Sequence, residues 1–401
     1  MWFLLPSDAH AFPLTSWTYT IPYFLLCFFI IFFSKNFNIR NAIDSENFNK
    51  KAYFFIFAVL TVFFGIRWYT LSDNIVYADE YNSIAPIFRW SYIEIHSWWW
   101  EKGYVIFAMC CKLITPDFHF FVFINTLIDL ILLHQIIKRY SLNIPFTILL
   151  FLGFYGILME INMMRNMKAI LLFLLSIKHI EERNFIKFLL YNVIGFSMHS
   201  SAILFFPMYW LLRIELNKKF IVTIAFVSTF IYVANIDIIN GLINTILQAL
   251  KQYDFSMIIK ASAYYEQSET QALSLGTIER IITLVLALYA YFKQKKVNKQ
   301  FIIFFNSYLI FFLAYSVFGN NEVFRDRFTT LFYYSYWFLY PHLAQFYKGK
   351  IKYFSLWITI YAMLRIFMLT HNCAAYYETV FFHNTTVAER AMLDAKTSKT
   401  W

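Results

Sequence analysis

Residues 118–137 read FHFFVFINTLIDLILLHQII and run directly into Lys138 and Arg139. Coiled as an α-helix, a segment of this length rises about 30 Å, the thickness of the hydrocarbon core of a bilayer. The run is continuous in Leu, Ile and Phe rather than alternating, so it is not a strand of a transmembrane β-barrel. Working outward, apolar runs of similar character recur at 51–66, 144–159, 301–318 and 351–364. Hydrophobic residues make up 60% of the 401 and charged ones 14%, against about 45–50% and 25% in soluble domains. Backbone exposed to lipid must satisfy its hydrogen bonds within its own segment, so these runs predict an all-α, polytopic integral membrane protein.

The charges between the runs set the topology. Basic clusters stand at Lys35/Arg40/Lys50/Lys51, Lys138/Arg139, Lys178/Arg183/Lys187, Arg213/Lys218/Lys219, Lys293/Lys295/Lys296/Lys299 and Lys348/Lys350/Lys352. The positive-inside tendency assigns them all to the cytoplasm. The remaining connections, 67–102, 160–165, the surroundings of His199, 237–276 and 319–327, then lie outside with both termini, and about 12 helices (10–13) result. Residues 103–115 are too short to span and are expected to be re-entrant or tilted. Residues 188–212 are expected to form a hairpin with His199 near its tip. In the long loop 237–276, Ile238, Leu242, Ile246 and Leu250 recur at helical spacing and suit an amphipathic cap on the outer interface. Trp98, Trp99 and Trp100 suit an interfacial belt. No internal repeat or soluble second domain is evident, so residues 1–401 are expected to form one membrane domain. The first long apolar run, near Thr18, is expected to remain as a helix rather than be removed as a signal.

Several chemistries find no support. The net charge of +10 is accounted for by the cytoplasmic loops, so no nucleic-acid partner is expected. Cys27, Cys110, Cys111 and Cys373 show no metal-ligand or redox spacing, and no metal or cofactor is expected. Nucleotide-binding loops and the common hydrolase motifs are missing. What remains is a set of cations on the outer side. Arg67 closes the second helix, Arg165 and Lys168 open the helix after Glu160, Arg280 opens the helix that runs to Lys293, and Arg325 and Arg327 bracket Asp326. Each could pair with a neighbouring carboxylate or reach to headgroups. As a set they match a phosphate or diphosphate on a lipid, which guanidinium forks bind bidentately.

Ordered motifs accompany these arginines: Gly65-Ile66-Arg67 with Asp73 and Tyr77, Glu101-Lys102-Gly103-Tyr104, Met164-Arg165-Asn166-Met167-Lys168-Ala169, Met198-His199-Ser200-Ser201-Ala202 and Arg325-Asp326-Arg327-Phe328. In their order and spacing, from about residue 65 to 345, they resemble the EpsG-like exopolysaccharide polymerases, related in role to Wzy-type O-antigen and capsule polymerases. Two positions depart from the pattern: Asn166 stands where the family commonly has Gln, and Lys168 where an apolar residue is usual. The resemblance implies a glycosyltransferase that joins repeat units carried on undecaprenyl diphosphate, at the outer face of a bacterial cytoplasmic membrane, with a chain-length regulator as the expected protein partner. Arg165, Arg280, Arg325, Arg327 and Arg67 would then hold the diphosphate and stabilise its growing charge. His199, Glu101 and Asp73 are the candidate proton acceptors for the attacking sugar hydroxyl.

Other functions compete. A flippase of the same lipid-linked sugars would place charges near the bilayer midplane and often show a repeat. A saccharide ligase would use the same donor. A scaffolding subunit would explain the helices but not the outer Arg, His and Glu.

Overall fold

The computed structural model describes residues 12–33, 50–87, 100–236, 245, 274–294, 298–346 and 351–398. Their regular secondary structure is helical, with isolated β-bridges in place of strands, and they fall into two compact units, 1–206 with 347–401 and 207–346.

The first unit opens with α1 (Ile21–Phe33), α2 (Lys50–Gly65), α3 (Asp73–Ser83) and α4 (Lys102–Cys111). It continues with α5 (Phe118–Tyr140), α6 (Ile144–Asn162), α7 (Met164–Glu181) and α8 (Phe185–Met198). Helix starts follow local chemistry: the Asp117 carboxylate accepts the Phe120 amide at 2.7 Å, Asn143 that of Phe146 at 3.0 Å and Asn184 that of Lys187 at 3.1 Å. Each satisfies an amide that the first helical turn leaves without a partner. α4 has 10 residues and rises about 15 Å, half of a bilayer core. After α8 the chain turns at His199, which is extended (φ −154°, ψ 129°), into a 3-10 segment Ser200–Phe205. That segment packs back on α7, with Phe205 stacked on Phe173 at 4.0 Å.

The second unit holds α9 (Met208–Leu211), α10 (Lys218–Val233), α11 (Leu275–Lys293), α12 (Lys299–Val317), α13 (Glu322–Thr330) and α14 (Tyr334–Phe346). The chain then returns to the first unit with α15 (Ile351–Thr370) and α16 (Val387–Ser398). There the C-terminal segment is held by a buried ion pair, Arg390 Nη2 to Glu378 Oε2 at 2.5 Å. It joins the end of α2 through a bridge between Arg67 and Thr379.

Among the described residues five helices are long and apolar enough to cross a membrane: α5, α6, α11, α12 and the 353–370 part of α15. The hydropathy reading expected about 12. The difference has physical causes. α8 has 14 residues, short of the roughly 20 that a bilayer core requires, and α7 carries Arg165, Lys168, Lys178 and Glu181 along its length. Large rings on α1, α2 and α10 (Phe32, Phe54, Phe226) point away from the protein, as a lipid-facing surface requires. In lipid, helices are held by close packing and polar contacts rather than by water exclusion. Gly153 shows this: a Cβ there would come within 2.9 Å of the Ala362 Cα. α6 breaks around Phe154 and Tyr155, whose φ is +76°, and Arg365 of α15 donates to the Gly153 carbonyl at 3.1 Å. A break in a membrane helix needs such a donor for its freed backbone.

Trp100, expected in an interfacial belt, is 2% exposed and sits inside the first unit. Trp98, Trp99 and the expected cap of Ile238, Leu242, Ile246 and Leu250 lie outside the described residues.

Candidate active site

Glu101 stands at the N-cap of α4 with extended backbone, yet its side chain makes no capping bond. The carboxylate turns instead to two other elements. Oε2 accepts from Arg165 Nη1 at 2.6 Å, and Oε1 accepts the Ser200 amide at 2.8 Å. The 101, 165 and 199–201 motifs, far apart in sequence, therefore meet on one carboxylate. Gly103 makes the approach possible: a Cβ there would lie 2.8 Å from both the Cβ and the carbonyl oxygen of Ser197 on α8.

Arg165 opens α7, which has no capping side chain. Its guanidinium lies over Trp100, 5.5 Å from the ring, and Tyr77, at 5.9 Å, and Nε donates to the Tyr77 hydroxyl at 3.4 Å. Aromatic faces attract the cation and fix its plane. His199 Nδ1 accepts the Ser201 amide at 3.2 Å and lies 2.6 Å from the Ser201 hydroxyl, which donates in turn to Asn166 Oδ1 at 3.0 Å. Burial pushes the Glu101 carboxyl up, but the Arg165 guanidinium, His199 and the Ser200 amide outweigh it, so Glu101 rests below the usual glutamate range.

Beneath this cluster is a second, fully enclosed one. Lys168, one turn along α7 from Arg165, donates to Asp129 Oδ1 at 2.8 Å and to the Asn125 carbonyl at 3.3 Å. Asn125 Nδ2 donates to Asp129 Oδ2 at 3.0 Å, and Tyr104 to Asn125 Oδ1 at 3.4 Å. The chain of bonds ties α4, α5 and α7 together directly below Glu101 and Arg165.

The other candidates are distributed as follows. Arg67 is 1% exposed and spends its donors on the Phe64 and Glu160 carbonyls, Thr126 and Met164. A side chain so enclosed has no face for a lipid diphosphate, and its place is structural. Asp73 is exposed in the first turn of α3, its amide donating to Asn162 Oδ1 at 2.8 Å. In the second unit, Arg280 of α11 donates through Nε and Nη2 to the Tyr232 hydroxyl at 2.9 and 2.6 Å and lies 3.8 Å from the Tyr315 ring centre. Among the described residues no carboxylate pairs with it. Its neighbour Glu279 is bonded elsewhere, to Thr283, Tyr340 and Tyr336 at 2.8, 3.0 and 3.2 Å. Arg325 pairs with Asp326 at 2.9 Å and Glu322 at 3.2 Å, and Arg327 lies on the exposed side of α13.

A family model, described as EpsG family, matches residues 50–383, a span that contains every motif meeting at Glu101. The chain belongs to the EpsG family. No curated protein and no solved structure matches it. Membership in the EpsG family is consistent with exopolysaccharide polymerisation and accounts for the helical membrane architecture. The family match ends just before the Glu378–Arg390 staple closes on α16, so that C-terminal helix lies beyond it. Within the matched span, Trp100, Ser200 and Asn125 were not foreseen as parts of the site. The motif that contains Ser200 was visible, but its role as an amide donor is invisible in a side-chain pattern.

Proposed function

We propose that this EpsG-family chain is a polysaccharide polymerase that transfers a glycan from a lipid diphosphate to the hydroxyl of an acceptor saccharide. The observation that carries this reading is the convergence of Glu101, Arg165 and the 199–201 turn. The acceptor hydroxyl attacks the anomeric carbon as the bond from that carbon to the diphosphate oxygen breaks, and the hydroxyl proton passes to Glu101. Charge grows on the departing diphosphate, and Arg165 with the uncapped first turn of α7 is suited to receive it. The Glu101–Arg165 pair gives the two events a link. When Glu101 takes the proton it loses its charge and its hold on Arg165 weakens, at the moment the leaving group needs the cation. Glu101 is the base, and His199, in the turn whose Ser200 amide Glu101 accepts, is a further hydrogen-bonding group for the substrate. In the second unit, Arg280 has the stronger claim to a phosphate, since Arg325 is neutralised by two carboxylates. The substrate class expected is an undecaprenyl-diphosphate-linked oligosaccharide, with the site facing the periplasm or the cell exterior.

The test is reconstitution in nanodiscs with a native lipid-diphosphate-linked repeat unit, products being separated by size. A ladder of longer lipid-linked glycans is expected. No ladder, with movement of the same lipid across a vesicle bilayer, would replace the polymerase with a flippase.

A further inference from the structure

At the far end of the helices that carry Arg165 and His199 the first unit has a half-open cleft of about 660 Å3. Its walls come from the last turns of α5 and α7 and the first two turns of α8, and they include Lys138, Arg139, Lys178, Lys187, Tyr140 and Tyr191. The volume lies within the range of roughly 300–1,000 Å3 typical of small-molecule sites.

The charge in the cavity is not balanced by the protein. Glu181 pairs with Arg139 at 3.2 Å, and Glu182 with Lys178 at 3.7 Å and with His179 at 3.1 Å. Among the described residues Lys138 and Lys187 have no carboxylate partner, and no acidic side chain lines the wall. Two lysines therefore line a common space together with Tyr191. Basic residues near helix ends are common on the cytoplasmic side and usually face open water. Here the exposed lysines of two helices line one half-open cleft.

The surroundings identify the occupant. α5 is a spanning helix, and Lys138 and Arg139 are in its last turn, so the cavity sits at the edge of the bilayer. On α8, Lys187 and Tyr191 line the wall, while Ile186 and Leu190, each one residue earlier and about 100° round the helix, are 70% and 58% exposed. An anion entering the cavity thus has an apolar surface at its side on which acyl chains can lie. We propose that this cavity holds the headgroup of an anionic phospholipid, its phosphate between Lys138 and Lys187 and its acyl chains along the Ile186–Leu190 face of α8. Basic pockets between membrane helices are suited to such headgroups, each nearby cation adding to the attraction.

The test is native mass spectrometry with thermal melting of the full-length protein in neutral detergent, titrated with phosphatidylglycerol, phosphatidylcholine or inorganic phosphate. Phosphatidylglycerol is expected to stay bound and to raise Tm, and Lys138→Gln/Lys187→Gln to weaken it about tenfold or more while leaving the lipid-free Tm unchanged. Lys218→Gln/Lys219→Gln, which removes two exposed lysines of the other unit, is expected to change nothing. If Lys138→Gln/Lys187→Gln fails to fold, Lys138→Arg/Lys187→Arg keeps the charge and is expected to keep the lipid, whereas Tyr191→Phe weakens it. Equal retention of the two lipids, equal loss in both glutamine variants, or inorganic phosphate displacing the lipid at matched concentration would each overturn the proposal. None of these readouts depends on polymerisation.

Discussion

Arg165 and Arg280 both lie against aromatic rings, and their surroundings differ in one respect that decides what each can do. Arg165 is ion-paired to Glu101 at 2.6 Å, and Arg280 rests on phenols, with two donors on one neutral hydroxyl. A paired guanidinium has little net charge to offer until its carboxylate is protonated, which is what a base and an electrophile working together require. A guanidinium held by rings retains its full charge and attracts an anion in the resting state. The first arrangement suits a reaction step, the second suits binding.

The comparison can be broken most forcefully at Arg165. Arg165→Ala is expected to lower turnover by about 10²- to 10³-fold, the usual cost of removing one electrostatic donor. Arg165→Lys should rescue little, because an ammonium cannot reproduce the planar stack on Trp100 and Tyr77. Rates of ladder growth at equal amounts of folded protein check both.

A second break lies beneath the first. Asp129→Leu leaves Lys168 buried without its partner and is expected to destabilise the protein by about 3–5 kcal/mol. Lys168→Leu/Asp129→Leu removes both charges and should restore most of that stability, since apolar packing can replace a buried ion pair. If the bond chain from Tyr104 to Lys168 sets the register of α4 against α7, the double variant will melt normally and still polymerise slowly. Thermal melting alongside ladder kinetics separates the two effects.

Arg280→Ala should act mainly on KM, raising it by about tenfold with a smaller change in kcat, as loss of a binding contact does. The smallest effect expected is in the pH profile. Glu101 is held below its ordinary value of 4.5, so it stays ionised, and active as a base, down to that value. Its contribution to stability has the same sign: present above the unfolded value and lost as pH falls through the lower folded one. An acid limb in the ordinary imidazole range, about pH 6–7, would instead rule out Glu101 as the base.

Much of this architecture is legible in the chain. The runs at 118–137, 144–159 and 301–318 announce α5, α6 and α12, because hydropathy over a bilayer's length is a local property. The motifs around Glu101, Arg165 and His199 are legible too, but as separate signals. What pattern alone leaves hidden is distance through space. Lys168 and Asp129 are 39 residues apart, and either one alone looks like an isolated charge in an apolar helix. Arg67 and Arg165 look equivalent until the first is found enclosed by carbonyls and the second stacked beside a carboxylate. Trp100, in a run of tryptophans, has the sequence signature of an interface residue and becomes instead the floor under Arg165. The break at Tyr155 has only Gly153 and Gly156 to signal it within an otherwise apolar run.

The most direct test of the account is Glu101→Gln, which keeps size and hydrogen-bonding capacity but removes the base and the anion that holds Arg165. Initial rates of chain extension should be measured for both proteins with the same lipid-diphosphate-linked repeat unit, at matched Tm. The account predicts a fall of about 10²-fold or more, the scale of lost general-base catalysis, with KM little changed. Extension at close to the parent rate would contradict it.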